Sequence, residues 1–173
     1  VYDHGDIEPT DDVAEYLDFL SGTLADFADD GLTPLTLGGE HTVTVAGVRA
    51  LEPDIFISLD AHLDLRDSYA GNPLSHATVT RHALDVADEA VVLGARAGAR
   101  EEWDRAEQAD VTVVPPEDVE HWEPPAGETY LSVDIDAADP GYAPGTGTPE
   151  PFGLDAATMR DVDDGAAWLH APP

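Results

Sequence analysis

Apolar residues along this chain follow two rhythms. Between residues 12 and 29, Val13, Tyr16, Leu17, Leu20, Leu24 and Phe27 recur every three or four positions. That spacing describes one face of a helix, and Gly31 just beyond it fits a C-terminal stop. Elsewhere the apolar residues form short runs that break at Gly or Asp. Leu35–Leu37 predicts a brief strand ending at Gly38-Gly39, and a helix follows from about His41 to Leu51. Asp54–Leu59 reads as a buried strand ending at Asp60. After a polar loop, 63–72, Asn72-Pro73 supplies a cap and first-turn pair for a helix reaching about Ala87. Ala90–Leu93, Val111–Val114 and Leu131–Val133 complete the strands, with a helix around Glu101–Gln108 and a Gly/Pro-rich loop over 137–153.

Strands alternating with helices predict an α/β fold with a parallel sheet covered on both faces. In open sheets of this kind, functional residues gather beyond the carboxyl ends of the strands. The chain shows no internal repeat, low-complexity segment or linker, so a single domain over 1–173 is expected. Its closing run, Gly165–Pro173, does not resemble the end of a packed domain.

Charge alters the picture more than hydropathy does. Against 37 acidic residues stand seven Arg and no Lys, a formal net charge of −30. Self-repulsion on this scale strains a compact fold in dilute buffer, whereas in molar salt the Debye length falls to about 3 Å. A salt-loaded cytoplasm with the acid spread over a solvated surface is the expected setting, and apolar residues throughout the chain argue against disorder. Nucleic acid and acidic membranes are poor partners, because phosphate needs neutralising by Lys or Arg. A small cationic substrate suits the surface better. Without Cys there is neither a disulfide framework nor thiolate metal ligation, and no apolar run approaches the roughly 20 residues of a membrane span. The N-terminus lacks the basic segment and apolar core of a signal peptide.

Three predicted strand ends carry clusters of acidic residues and histidine: Glu40-His41 after Gly38-Gly39, Asp60-Ala61-His62-Leu63-Asp64, and the wholly acidic pair of Asp134-Ile135-Asp136. One Asp-x-Asp means little in so acidic a chain. Asp60-x-His62-x-Asp64 at the end of a buried run means more, and three such clusters are hard to explain as surface charge. Alternation along extended backbone places Asp60, His62 and Asp64 on one face, and Asp134 with Asp136. Four carboxylates in one pocket raise each other's pKa unless cations are bound. With two imidazoles they form a mixed N/O set suited to a hard divalent ion such as Mn²⁺. His4, His82, His121 and His170 lack acidic partners at ligand spacing and read as structural.

The segments GGEHT (38–42), DAHLDLRDSY (60–69), NPLSHAT (72–78) and SVDIDAADPGYAPGTGTPEPFGL (132–154) closely resemble the ureohydrolases, agmatinases in particular. The resemblance spans nearly all of 32–155 in order. It implies the three-layer arginase-type fold, two Mn²⁺ ions, a small guanidino substrate such as agmatine and a homo-oligomer. It also implies ligand roles. Asp60 and Asp134 bridge the ions, His41 and Asp64 complete one site, and His62 and Asp136 complete the other. The carboxylate matching Asp64 passes a proton to the leaving amine. His76 matches a histidine that shuttles protons or binds substrate, its bland alternative being a helix-start histidine bonded to backbone. Arg66 belongs either to a salt bridge beside the site or to a substrate contact. Glu150 lies within the signature without a catalytic role, and Gly145, Thr146, Gly147 and Thr148 form a permissive loop near the metals.

Two departures temper the resemblance. Active members usually carry a glutamate four residues after the Gly-Leu, to pair with the guanidinium. Here Gly153-Leu154 leads to Thr158, which carries no charge, with Asp155 and Asp161 nearby but out of register. Family members are also considerably longer, so the fold is expected to be incomplete at both ends, as in a fragment. Other guanidino or formimino substrates, and a silent metal-binding paralogue, therefore remain beside agmatine hydrolysis as readings.

Overall fold

The computed structural model describes residues 1–165. Its helices are α1 (Val13–Asp29), α2 (Val43–Leu51), α3 (Val79–Ala83), α4 (Arg100–Ala106) and α5 (Ala156–Gly165). Its strands are β1 (Ile55–Leu59), β2 (Glu89–Leu93), β3 (Val111–Val114) and β4 (Thr129–Val133). Three 3-10 turns, His76–Thr78, Pro116–His121 and Ile135–Ala137, join them. The predicted helices and strands therefore exist almost everywhere they were expected, with two corrections.

All four strands run parallel in the order β3-β2-β1-β4. Strand β1 is central and every residue in it is buried, which explains a continuous apolar run instead of an alternating one. Its two faces enter different cores. Phe56 packs with Leu17, Leu20 and Leu24 of α1, Val45 and Val48 of α2, and Val79 of α3. Ile55, Ile57 and Leu59 pack on the opposite side with Val119, Leu154 and, from α5, Met159 and Val162. Helix α1 is capped by the Asp12 side chain, which accepts from the Glu15 N–H. It ends at Gly31, whose φ of +75° is the left-handed conformation glycine adopts readily.

Helix α2 contains a glycine in its interior, at a cost of about 1 kcal/mol relative to Ala. A Cβ on Gly47 would lie 2.3 Å from the Tyr130 hydroxyl, so the missing side chain makes room for a phenol from β4.

The first correction concerns Leu35–Leu37. It forms no strand: Leu35 and Leu37 are 84% and 89% exposed, and the segment has no ladder partner among the described residues. Backbone reads as a strand only when a neighbouring edge accepts it. The second concerns the helix expected from 72 to 87. Asn72 instead accepts from the Leu74 N–H in a local turn. The Thr78 hydroxyl bonds the carbonyls of Pro73 and Ser75, competing with helix formation, and α3 begins only at Val79. His170 lies outside the described residues. Among the described residues, no helix is long and apolar enough to cross a membrane.

Phe56→Ala is expected to destabilise the protein by about 3–5 kcal/mol, the usual cost of emptying a packed aromatic site. Chemical denaturation checks this, and a loss below 1 kcal/mol would show that Phe56 does not anchor the helical face.

Candidate metal centre

Strand register places the carboxylates. Leu59 of β1 pairs with Val133 of β4, so the next residues, Asp60 and Asp134, leave the sheet side by side. The Asp60 N–H donates to the Leu93 carbonyl and the Asp134 N–H to the Leu59 carbonyl. Both chains then turn at once. Asp60 Oδ1 accepts from the His62 N–H at 2.7 Å, and Asp134 Oδ1 accepts from the Asp136 N–H at 3.0 Å.

The six predicted site residues come together, although not by the expected alternation. The strands end at Leu59 and Val133, with Asp134 still extended before the turn. Asp136 sits in a 3-10 turn, and Asp64 points inward because its own φ is +51°. Asp is among the few residues that tolerate such a conformation, and non-glycine strain of this type concentrates at functional sites. His41 stands just before α2. Its Nδ1 lies 2.8 Å from Asp64 Oδ2, 3.3 Å from Asp60 Oδ2 and 3.7 Å from Asp134 Oδ2. His62 Nδ1 lies 2.9 Å from Asp136 Oδ2 and 3.6 Å from Asp60 Oδ1.

Two groups suited to holding a metal ion result: His41, Asp60 and Asp134, and Asp60, His62 and Asp136. They share Asp60, which is 2% exposed and whose Oδ2 has no hydrogen-bond partner among the described residues. A buried carboxylate oxygen with an imidazole at 3.3 Å but no hydrogen bond is under-compensated, and a cation answers it. The donor set, imidazole nitrogen with carboxylate oxygen, fits a divalent metal of the harder kind.

Charge compensation leads to the same conclusion. Burial pushes Asp60 up to about 8, with the neighbouring Asp64 charge adding to the rise. Burial also raises Asp64. His41 is opposed by burial yet held up at about 9 by its hydrogen bond to Asp64 and the charges of Asp60, Asp64 and Asp134. His62 rises to about 10, chiefly through its hydrogen bonds to Asp136 and Asp60. Desolvation works against the Asp136 carboxylate, but His62 and the Ala61 N–H still hold it below the usual range. The shifts share one cause: carboxylates crowded out of water favour positive charge beside them.

His76 stands apart from the six. It opens the 3-10 turn, as its bland reading required, but its Nδ1 lies 3.5 Å from Glu40 Oε1 and its ring rests against Tyr69 at 5.0 Å. Arg66 takes the salt-bridge alternative: its Nε donates to Glu102 at 3.1 Å while its guanidinium covers Tyr69. Thr148 reaches the centre, its hydroxyl donating to Asp136 Oδ2 at 3.3 Å. Glu150 Oε1 lies 3.9 Å from His62 Nε2. At the departure from the family pattern, Asp155 accepts from the Thr158 N–H and caps α5, while Asp161 pairs with Arg160. Thr158 lines a groove of about 460 Å³ with Val119 and Trp122, and none of the six centre residues borders it.

Two residues escaped sequence reasoning. Arg96 donates to the carbonyls of Gly94, Asp136, Ala137, Ala138, Glu150 and Pro151. It staples the 137–153 loop beneath the centre, and Gly153 leaves room for it, since a Cβ there would lie 2.5 Å from Arg96 Nη2. Its position just past the end of β2 was the available signal. Buried Glu102 accepts from the Leu65 and Ala99 N–H groups as well as from Arg66. A single acid in an acidic helix gave no such signal.

A sequence profile described as the Arginase family matches residues 1–167. The chain belongs to the arginase family. It is 39% identical over 142 residues to an N(1)-aminopropylagmatine ureohydrolase of Thermococcus kodakarensis, covering 79% of this chain and 48% of that protein. It is 40% identical over 142 residues to an agmatinase of Pyrococcus horikoshii, covering 79% and 49%. The solved agmatine ureohydrolase of Thermoplasma volcanium superposes with a TM-score of 0.85 at 37% identity, over 94% of this chain and 59% of that one. The arginase-type α/β fold is thereby shown. The chain spans about half the length of the curated relatives it matches.

Cation binding must displace the imidazole protons, so affinity for a divalent ion is expected to fall as pH drops below about 10 and then about 9. Calorimetry in buffers of different ionisation enthalpy reads this as net proton release at pH 7. A pH-independent affinity with no proton release contradicts it.

Proposed function

We propose that this chain carries the centre of a Mn²⁺-dependent amidinohydrolase that cleaves agmatine to putrescine and urea, a polyamine-forming step. The observation that carries the proposal is the pair of Asp/His groups sharing buried Asp60, within a chain similar to agmatinases. In this reading His41, Asp64, His62 and Asp136, with Asp60 and Asp134 between them, would hold two Mn²⁺ ions. Two such ions supply Lewis acidity and a water acidified enough to attack a guanidinium carbon at neutral pH.

The protein's own groups do the rest. Asp64, buried against His41 Nδ1, is placed to hold the proton that the departing amine requires. His76 and Glu40 stand at the rim, 3.5 Å apart, where an imidazole can pass a proton between site and solvent. Carboxylates at Glu40, Glu150 and Asp134 surround the entrance and favour a cationic substrate. The surplus of 30 negative charges suits a salt-rich cytoplasm, and we infer a homo-oligomer as the working assembly.

A second reading has one specific observation behind it. Thr158 stands where the family glutamate is expected; of the carboxylates three residues to either side, Asp155 caps α5 and Asp161 pairs with Arg160. Loss of a charge-assisted contact weakens guanidinium binding, which favours a silent metal-binding relative.

Urea release from agmatine, with Mn²⁺ added in molar salt, separates the two. The enzyme reading expects Mn²⁺-dependent urea from the wild-type chain and none from Asp134→Ala, with both ions lost from that variant. Binding of two ions with no urea from agmatine or any guanidino analogue supports the silent reading.

A further inference from the structure

A histidine that ligates through Nδ1 must carry its proton on Nε2, and something must hold that N–H in place. At His41 the two nitrogens face different surroundings. Nδ1 looks at Asp60, Asp64 and Asp134. Nε2 lies 3.0 Å from the hydroxyl of Ser132, a buried residue on β4.

Ser132 is not an isolated contact. Its Oγ lies 3.2 Å from Thr44 Oγ1, buried in the first turn of α2. Beneath Thr44 stands Tyr130, two residues before Ser132 and so on the same face of β4. Burial raises the Tyr130 phenol, while a hydrogen bond from Thr44 opposes the rise. Gly47, one turn further along α2, leaves the space that the phenol fills. Ser132 alone touches the imidazole edge, and Thr44 of α2 and Tyr130 of β4 stand behind it.

We propose that Ser132 and Thr44, backed by Tyr130, are positioning residues that preset His41 for metal binding through Nδ1. The proposal rests on the metal centre described above. The His41 Nε2–H donates to Ser132 Oγ, and the Ser132 hydroxyl in turn donates a hydrogen bond to Thr44 Oγ1. This leaves the Nδ1 lone pair for a cation held with Asp60 and Asp134. Among the described residues, His62 has no equivalent support: its Nε2 faces the partly exposed Glu150 at 3.9 Å, beyond hydrogen-bonding range. The two halves of the centre are therefore unequal, with the His41 half rigid before metal arrives and the His62 half completed afterwards.

Mn²⁺ titration of the whole chain by calorimetry and electron paramagnetic resonance tests this, using Ser132→Ala, Ser132→Thr and Thr44→Val. Ser132→Ala is expected to weaken one binding step by about 10–100-fold and leave the other within about threefold. Its spin-coupled two-ion signal should then give way to a single-ion signal at equal Mn²⁺. Ser132→Thr keeps the hydroxyl and should restore both steps, whereas Thr44→Val should weaken the same step as Ser132→Ala, but less. Should Ser132→Ala fail to fold, as judged by circular dichroism, the Thr44→Val and Ser132→Thr titrations decide. Unchanged binding in Ser132→Ala, or equal weakening of both steps in all variants, overturns the preset imidazole and leaves the centre standing. A wild-type chain that binds no Mn²⁺ overturns the centre itself and the present proposal with it.

Discussion

Keeping Asp60 buried among three other carboxylates, in a chain already carrying a net charge of −30, is the constraint around which this structure is arranged. Like charges at such separations cannot all persist without compensation. The protein gathers two imidazoles against them, and both are driven far above their ordinary pKa. Among the described residues, no Arg side chain is hydrogen-bonded or ion-paired to these four carboxylates. Arg96, the nearest guanidinium described, is turned toward backbone carbonyls. The positive charge the centre requires is thus left exchangeable, as protons or as metal, and exchangeability is what a metal site needs.

Parallel pairing makes that gathering geometrically cheap. Because β1 and β4 run in the same direction and in register, their carboxyl ends deliver Asp60 and Asp134 to one place. Each then leaves the strand by a tight turn held by its own side chain, which ties the site to the most buried strand of the sheet. A long Gly/Pro-rich loop would be a poor support by itself. Here Arg96 bonds its carbonyls from below, and Asp139 accepts from the Gly141, Phe152 and Gly153 N–H groups. The loop that delivers Thr148 to Asp136 is therefore held by hydrogen bonds along most of its length.

Much of this was legible in the sequence, and the reasons differ by residue. Asp60, His62 and Asp136 could be singled out because the chemistry lies within a few residues of a recognisable apolar run. Helix α1 was legible because its period and its Gly31 stop are local, and the structure adds an Asp12 cap. Leu35–Leu37 misled because a short apolar run shows strand propensity without showing whether a partner edge exists. The 72–87 helix misled because Thr78 turns its hydroxyl onto local carbonyls, a competition that composition does not announce.

The sequence alone determined the alternation of strands and helices apart from the two corrected segments, a buried strand ending at Asp60, and the six clustered Asp and His residues. These depend on period, composition and contacts over a few positions. Tertiary structure alone decided that Asp64 turns inward through a left-handed backbone angle. It also decided that Arg66 belongs to Glu102, and that His41 rests on a hydroxyl 91 residues away. Contacts between distant segments depend on strand register and helix docking, which come from packing the whole chain and leave no local periodicity to read.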